Sequence, residues 1–255
     1  MIGFILGTSE GKKILKSINN YTDKIVVSTA TEYGGELLKS YKMKHLNTKP
    51  LDKDGLINLI KEFNIKVLVD ASHPYATEVS KNAMEASKET NIDYIRYERE
   101  GIISNSNSEN IIKIKSYYEL KEVLEKIPGN ILNTTGSRNI KNIINLNCQN
   151  RIIHRVLPSP KILEEIINLG VDISDIIAMK GPVSYEMNMG FIDQYNAKAI
   201  ITKDSGLAGG VEEKLKASID KNIKLIVIEK PKIKYGNTFY KEEELVNYLV
   251  NNYKF

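Results

Sequence analysis

The chain has no tryptophan, one cysteine and three histidines in 255 residues. A lone cysteine, Cys148, excludes a disulfide framework or a cysteine-based metal site within one chain. His45, His73 and His154 show neither H-E-x-x-H nor any paired spacing. A zinc site needs three or four ligands, so no metal is expected. Long apolar runs are missing as well, and no stretch approaches the ~18 residues of a membrane span. The opening MIGFILGTSEGKKIL lacks the basic n-region and the apolar length of a signal peptide. A cytoplasmic protein with no membrane partner is expected. No run of five or six like charges occurs, and the formal net charge is only +4. That balance points away from nucleic acid and toward a small anionic ligand.

What is present is alternation. Short runs rich in Ile and Val precede longer segments of helical period. The pattern predicts strands over 2–6, 24–29, 66–71, 94–97, 130–134, 151–156, 175–179, 197–202 and 224–229. It predicts helices over 9–19, 33–41, 52–63, 74–90, 117–126, 159–168, 184–195, 211–221 and 241–252. Strands that are apolar throughout belong to parallel sheets covered on both faces. The fold class is therefore α/β, with doubly wound parallel sheets. The alternation restarts near Pro128-Gly129, which divides the chain into two Rossmann-like domains, 1–127 and 128–255.

In such sheets ligands bind beyond the carboxyl ends of the strands, so the strand-to-helix loops are where chemistry is sought. Gly7, Thr8, Ser9 and Glu10 open the first helix in a turn where backbone N–H groups meet an anion. The full G-x-G-x-x-G pattern is not met, and a plain turn capped by Ser9 fits equally well. Thr29 and Thr31 end the second strand, where a dinucleotide's ribose is expected. No Arg follows there to meet a 2′-phosphate, which leans the choice from NADPH toward NADH. Thr135, Gly136, Ser137 and Arg138 suit a phosphate or carboxylate, or equally a helix cap at Ser137 with a solvated Arg138. Lys203, Ser205 and Gly206 lead into the glycine pair Gly209-Gly210, whose conformational cost favours a functional backbone shape. Lys180 follows a strand. Ser72, His73, Pro74 and Tyr75 form a strand-to-helix turn, with Pro74 at the first helical position and Ser72 or His73 as cap. Asp70 is placed to orient His73, but no nucleophile accompanies them, so a triad is not expected. No residue is assigned as catalytic.

Taken in order, these loops resemble those of the precorrin-6A reductase family, including its cobalt-precorrin-6A form. The stretches that carry the resemblance are GTSEG (7–11), VSTATEYGGELL (27–38), VDASHPYA (69–76), YIRYERE (94–100), LNTTGSRNI (132–140), RVLPSP (155–160), MKGPVSYEMN (179–188) and ITKDSGLAGGVEEKLKAS (201–218). Ser72 and Tyr75 stand where Thr and Phe are usual in the family. The resemblance implies two Rossmann-like domains that exchange a strand, with cofactor and macrocycle in the cleft between them. It implies NADH- or NADPH-dependent reduction of an anionic tetrapyrrole in cobalamin biosynthesis, with hydride to C19 and a proton to C18. Gly7–Glu10, Thr29, Thr31 and Thr135–Arg138 are then expected at the cofactor. Ser72–Tyr75, Lys180, Lys203, Ser205 and Gly206 are expected at the substrate, with Arg96 and Arg99 as further cations. Two other readings fit a two-lobed chain: a nucleotide-sugar or tetrapyrrole enzyme without nicotinamide, and a solute-binding module without chemistry.

Overall fold

A computed structural model describes residues 1–7, 10–98, 101, 103, 108–204 and 209–254, with Glu10 in its backbone alone. The chain divides into two units, Met1–Glu100 with Pro231–Phe255, and Gly101–Lys230. Each contains one six-stranded sheet in which every pairing is parallel.

The first unit holds β1 (Ile2–Leu6), α1 (Glu10–Ile18), β2 (Ile25–Ser28), α2 (Glu32–Glu36), β3 (His45–Asn47), α3 (Lys53–Glu62), β4 (Val67–Ala71), α4 (Thr77–Glu89) and β5 (Asp93–Tyr97). The C-terminal segment adds β12 (Thr238–Phe239) and α10 (Glu242–Asn252). Its sheet runs β12-β5-β4-β1-β2-β3. Successive strand residues face opposite sides, and both sides here are apolar. Ile2, Phe4 and Leu6 of β1 pack with Ile14, Leu15 and Ile18 of α1 and with Leu245 and Leu249 of α10. Ile5, between them, packs with Leu56 and Ile60 of α3 and Ala83 of α4. Each fully buried Ile or Leu contributes about 1.5–3 kcal/mol relative to exposure, which is why the continuous apolar strands settle between helix layers.

The second unit holds β6 (Ile111–Ile114), α5 (Leu120–Glu125), β7 (Asn130–Asn133), α6 (Ile140–Ile144), β8 (Ile152–Val156), α7 (Pro160–Asn168), β9 (Ile176–Ala178), α8 (Tyr185–Gln194), β10 (Ala197–Lys203), α9 (Val211–Asp220) and β11 (Lys224–Ile228). Its sheet runs β6-β11-β10-β7-β8-β9. Strands β7–β11 repeat the wiring of β1–β5, with β7 in the place of β1 and β10 in the place of β4, while the outer strand β6 precedes its five and β12 follows the other five.

The boundary expected at 127/128 is corrected. Residues 101–127 belong with the second sheet because β6 pairs with β11, Leu225 opposite Ile111. Residues 231–255 return to the first sheet, where Thr238 of β12 sits opposite Arg96 of β5. Relative to halves cut at 128, each sheet thus carries one strand from the other half. All nine predicted strands are present. β3, β6 and β12 were not predicted, nor was α6. α2 is five residues long rather than nine, and α4 starts at Thr77 rather than Pro74. Residues 117–126 divide into a 3-10 turn, Tyr117–Glu119, and α5. Among the described residues, no helix is long and apolar enough to cross a membrane.

Candidate active site

The strand order reverses between β1 and β4 in the first unit and between β7 and β10 in the second. Ligands of open α/β sheets occupy such points. In the first unit the two flanking loops are tied together: the Gly7 amide donates to the Ala71 carbonyl at 3.2 Å, and the Gly11 amide to the Gly7 carbonyl at 3.2 Å. Gly7 therefore lies at the strand tip where α1 begins. Beside it, Thr29 is buried, and its hydroxyl donates to the carbonyls of Thr31 and Asn47 at 3.1 and 3.3 Å. Thr31 is exposed and caps α2, its Oγ1 accepting from the Gly34 amide at 3.0 Å. The tips of β2 and β3 flank a slot lined by Ser28, Thr29, Ala30, Lys49, Pro50, Leu51 and Val79. Its walls are mainly apolar, with hydroxyls and one amine at the rim.

Behind the His73 turn lies a buried ion pair. Arg96 and Asp70 are both fully buried, with Nη1 2.9 Å from Oδ1. Asp70 also accepts from the Ser72 amide at 2.9 Å and from the Tyr94 hydroxyl at 2.8 Å. Burial, and then the Asp70 charge, push the Tyr94 phenol far above its ordinary range, so it remains a donor. Arg96 donates to the Ser72 hydroxyl at 3.2 Å and to the Ser72 carbonyl at 3.0 Å, and its guanidinium lies 4.9 Å from the Tyr235 ring centre. Arg96 is thereby corrected from a substrate cation to a brace for the turn. Asp70 holds Ser72 and Arg96, as a buried carboxylate among such donors must.

The turn itself departs from the expected cap. The Ala76 amide donates to the His73 carbonyl at 2.8 Å, and the Tyr75 amide to His73 Nδ1 at 3.3 Å. With Nδ1 accepting, the neutral ring carries its proton on Nε2. Pro74 is buried inside this turn, and α4 begins after it at Thr77 with no side-chain cap. Ser72, its hydroxyl and carbonyl both engaged, shapes the loop, while His73 and Tyr75 remain partly exposed.

At the second switch point the Thr134 amide and hydroxyl donate to the Ile201 carbonyl at 2.9 and 2.8 Å. Asn133 braces the next residue: its Oδ1 accepts from the Thr135 amide at 3.1 Å and hydroxyl at 2.8 Å. Its Nδ2 lies 2.9 Å from Nδ1 of His154, whose pKa burial lowers to about 4. A neutral imidazole acceptor is the consequence. Gly136 follows with φ +83, which a side chain would strain. A 3-10 turn, Ser137–Asn139, then precedes α6, and no side-chain cap bond forms at either start. Arg138 is exposed beside Lys203. Burial, and then the Arg138 charge, lower the Lys203 ammonium to about 8.

The structure thus brings Gly7, Thr29 and Thr31 together with the His73 turn at one strand edge, and Thr135–Arg138 together with Lys203 at the other. Lys180 is exposed after β9, two strands away from the second switch point. Thr8, Ser9, the Glu10 side chain, Arg99, Ser205 and Gly206 lie outside the described residues. Lys49 was missed because the edge strand that delivers it was missed. Arg155 and Lys214 were also missed. Their signals were an Arg inside the apolar run RIIHRV, and a Lys spaced i+3 from Val211 and i−3 from Ala217 on the buried face of α9.

Comparison with known proteins agrees over the whole chain. The family model described as precorrin-6x reductase CbiJ/CobK matches residues 2–250. The cobalt-precorrin-6A reductase of Methanocaldococcus jannaschii is 38% identical over 246 residues, covering 96% of each chain. That of Priestia megaterium is 32% identical over 255 residues, covering 98% of each. A solved CobK precorrin-6A reductase superposes with a TM-score of 0.77 at 16% identity, covering 98% of this chain and 96% of its own, a likeness of fold.

Proposed function

This chain belongs to the precorrin-6x reductase family, and on that premise we propose that it reduces cobalt-precorrin-6A, or its cobalt-free form, to the 6B state in cobalamin biosynthesis with a nicotinamide cofactor. The observation that carries the reading is the family match across residues 2–250.

The first switch point fits a dinucleotide. Gly7 lets the backbone approach a pyrophosphate at the start of α1, and the tips of β2 and β3 beside it are the proposed place of the adenosine. When bound, the nicotinamide supplies a hydride, which the reading directs to C19 of the macrocycle, with a proton to C18. NADH is the proposed cofactor because no Arg follows β2; Lys49 on the slot rim is the one cation among the described residues lining it, and it makes NADPH the alternative to test. The chain's own part is position and electrostatics. Lys203 and Arg138 attract the macrocycle's acetate and propionate groups. Thr135–Arg138, expected at the cofactor, is read with Lys203 on the substrate side because the two cations stand together. His73, partly exposed in the 72–76 turn, is the proposed neighbour of a substrate carboxylate. The Asp70–Arg96 pair holds that turn still, so little order has to be gained on binding.

The test is anaerobic incubation with cobalt-precorrin-6A and each cofactor, following nicotinamide absorbance together with the macrocycle spectrum. Coupled loss of NADH absorbance and a spectral change in the macrocycle supports the reading. No change with either cofactor on either form of the substrate would overturn it.

A further inference from the structure

Two further cations of the second unit, Arg155 and Lys214, lie close enough for the Arg155 charge to lower the Lys214 ammonium. Arg155 occupies the next-to-last position of β8. Its Nη1 is buried and has no hydrogen-bond partner among the described residues. Lys214, on the buried face of α9, is 2% exposed, and its Nζ donates to the Gly209 carbonyl at 2.7 Å. An ammonium has three donors, so that bond leaves two. The one carboxylate among these three neighbours is Glu213, whose Oε2 is also buried without a partner. With Lys214 protonated, two cations against one carboxylate leave a single positive charge in a largely desolvated place. Such an excess is costly unless an anion answers it.

The surroundings leave room on one side. At Gly181 a side-chain Cβ would stand 3.6 Å from Arg155 Nη2, with no other described atom recorded within 4 Å of it. Gly181 and Pro182 are exposed, so this is the solvent side of the cluster. On the other side, Gly210 adopts φ +62, and a Cβ there would stand 3.2 Å from Pro182 Cβ. Gly181 lies against the guanidinium without covering it by a side chain, and the glycine at 210 lets its loop approach Pro182.

We propose that Arg155 and Lys214 form a carboxylate subsite that opens past Gly181 and takes one acetate or propionate group of the macrocycle. The assignment rests on the reductase reading for its ligand. A guanidinium fork matches a carboxylate's two oxygens, and the net charge of one matches a monoanion better than a phosphate dianion. Burial, followed by the Arg155 charge, lowers the Lys214 ammonium to about 7, while Glu213 raises it. An anion seated between the two cations therefore restores the ammonium.

The experiment follows the Lys214 Nζ resonance of the whole chain through a pH titration, with acetate, inorganic phosphate or NADH added. Acetate is expected to raise the midpoint by about one unit, and NADH to leave it unmoved. Steady-state kinetics supply the second readout. Arg155→Met and Lys214→Met are expected to raise the macrocycle KM about tenfold each, with the NADH KM unchanged. Glu213→Gln is expected to lower the macrocycle KM, and Arg155→Lys to recover part of the loss. Buried Lys214→Met removes a charge at similar volume, which proteins commonly tolerate. A midpoint moved by NADH or by phosphate alone assigns the cluster to a phosphate and overturns the proposal. So does an unchanged macrocycle KM in both Met variants of a folded, active enzyme. A midpoint moved by acetate in a protein that reduces no macrocycle would keep the subsite and sink the reductase reading instead.

Discussion

The two units share one strand order, and their carboxyl edges carry different chemistry. At the first edge charge is neutralised in place. Asp70 and Arg96 are buried against each other at 2.9 Å, and what reaches outward is a glycine turn, threonine hydroxyls and His73. At the second edge cations are grouped: Arg138 lowers the Lys203 ammonium, and Arg155 lowers that of Lys214, which Glu213 raises. A parallel sheet supplies the same site twice, and the residues at the strand tips decide what it attracts. The first edge suits a dinucleotide held largely by backbone and hydroxyls. The second suits a ligand rich in carboxylates.

That contrast can be broken from either side. The largest effect belongs to the buried pair. Asp70→Ala leaves the buried Arg96 with one carboxylate among the described residues, Glu98 at 3.9 Å, and is expected to cost about 3–5 kcal/mol. Denaturant unfolding measures the loss, and hydrogen exchange should place it at β4, β5 and the 72–76 turn rather than in the second sheet. Next is His154, whose pKa is lowered from 6.5 to about 4 by burial. The unfolded chain binds the extra proton in that window, so this contribution is full above pH 6.5 and is lost as pH falls toward 4. It amounts to up to about 3 kcal/mol, and denaturant midpoints from pH 7 to 4 should flatten in His154→Gln.

Crossed kinetics are the sharper probe of the division itself. Gly7→Val is expected to raise the cofactor KM about tenfold and spare the macrocycle, while Arg138→Met does the reverse. If both variants moved the same constant, the two edges would not differ in the way described. Lys49→Ala should raise the KM for NADPH several-fold and leave that for NADH alone, which tests the amine at the slot rim. The smallest effect is a matched pair of caps. Thr31→Ala in the first unit and Ser184→Ala in the second each lose one N-cap bond, at 3.0 and 3.3 Å. Each should cost about 1 kcal/mol by thermal unfolding.

Interior strands were legible because burial on both faces demands an unbroken apolar run, as in IGFIL and IVVS. β3, β6 and β12 have one neighbour each and are only partly buried, so their sequences carry no such demand. Missing them moved the domain boundary, since β6 and β12 are the strands that cross between halves. It also hid Lys49. The loops that matter were visible from their glycines, hydroxyls and cations. What each side chain does there was less so. Asp70 and Arg96 lie on adjacent strands 26 positions apart, and only the register shows that they answer each other. A charged residue inside VLVDA or DYIRY is itself a sign of such a partner. Pro74 was read as the first residue of a helix, yet the His73–Ala76 turn takes up those residues first.

Amide hydrogen exchange on the whole chain, with NADH alone and with cobalt-precorrin-6A alone, tests the division most directly. NADH should protect the first edge, at residues 28–35 and 48–56. The macrocycle should protect residues 134–140 and the amides around Arg155, Lys180 and Lys214. Protection by NADH confined to the second unit would contradict the account.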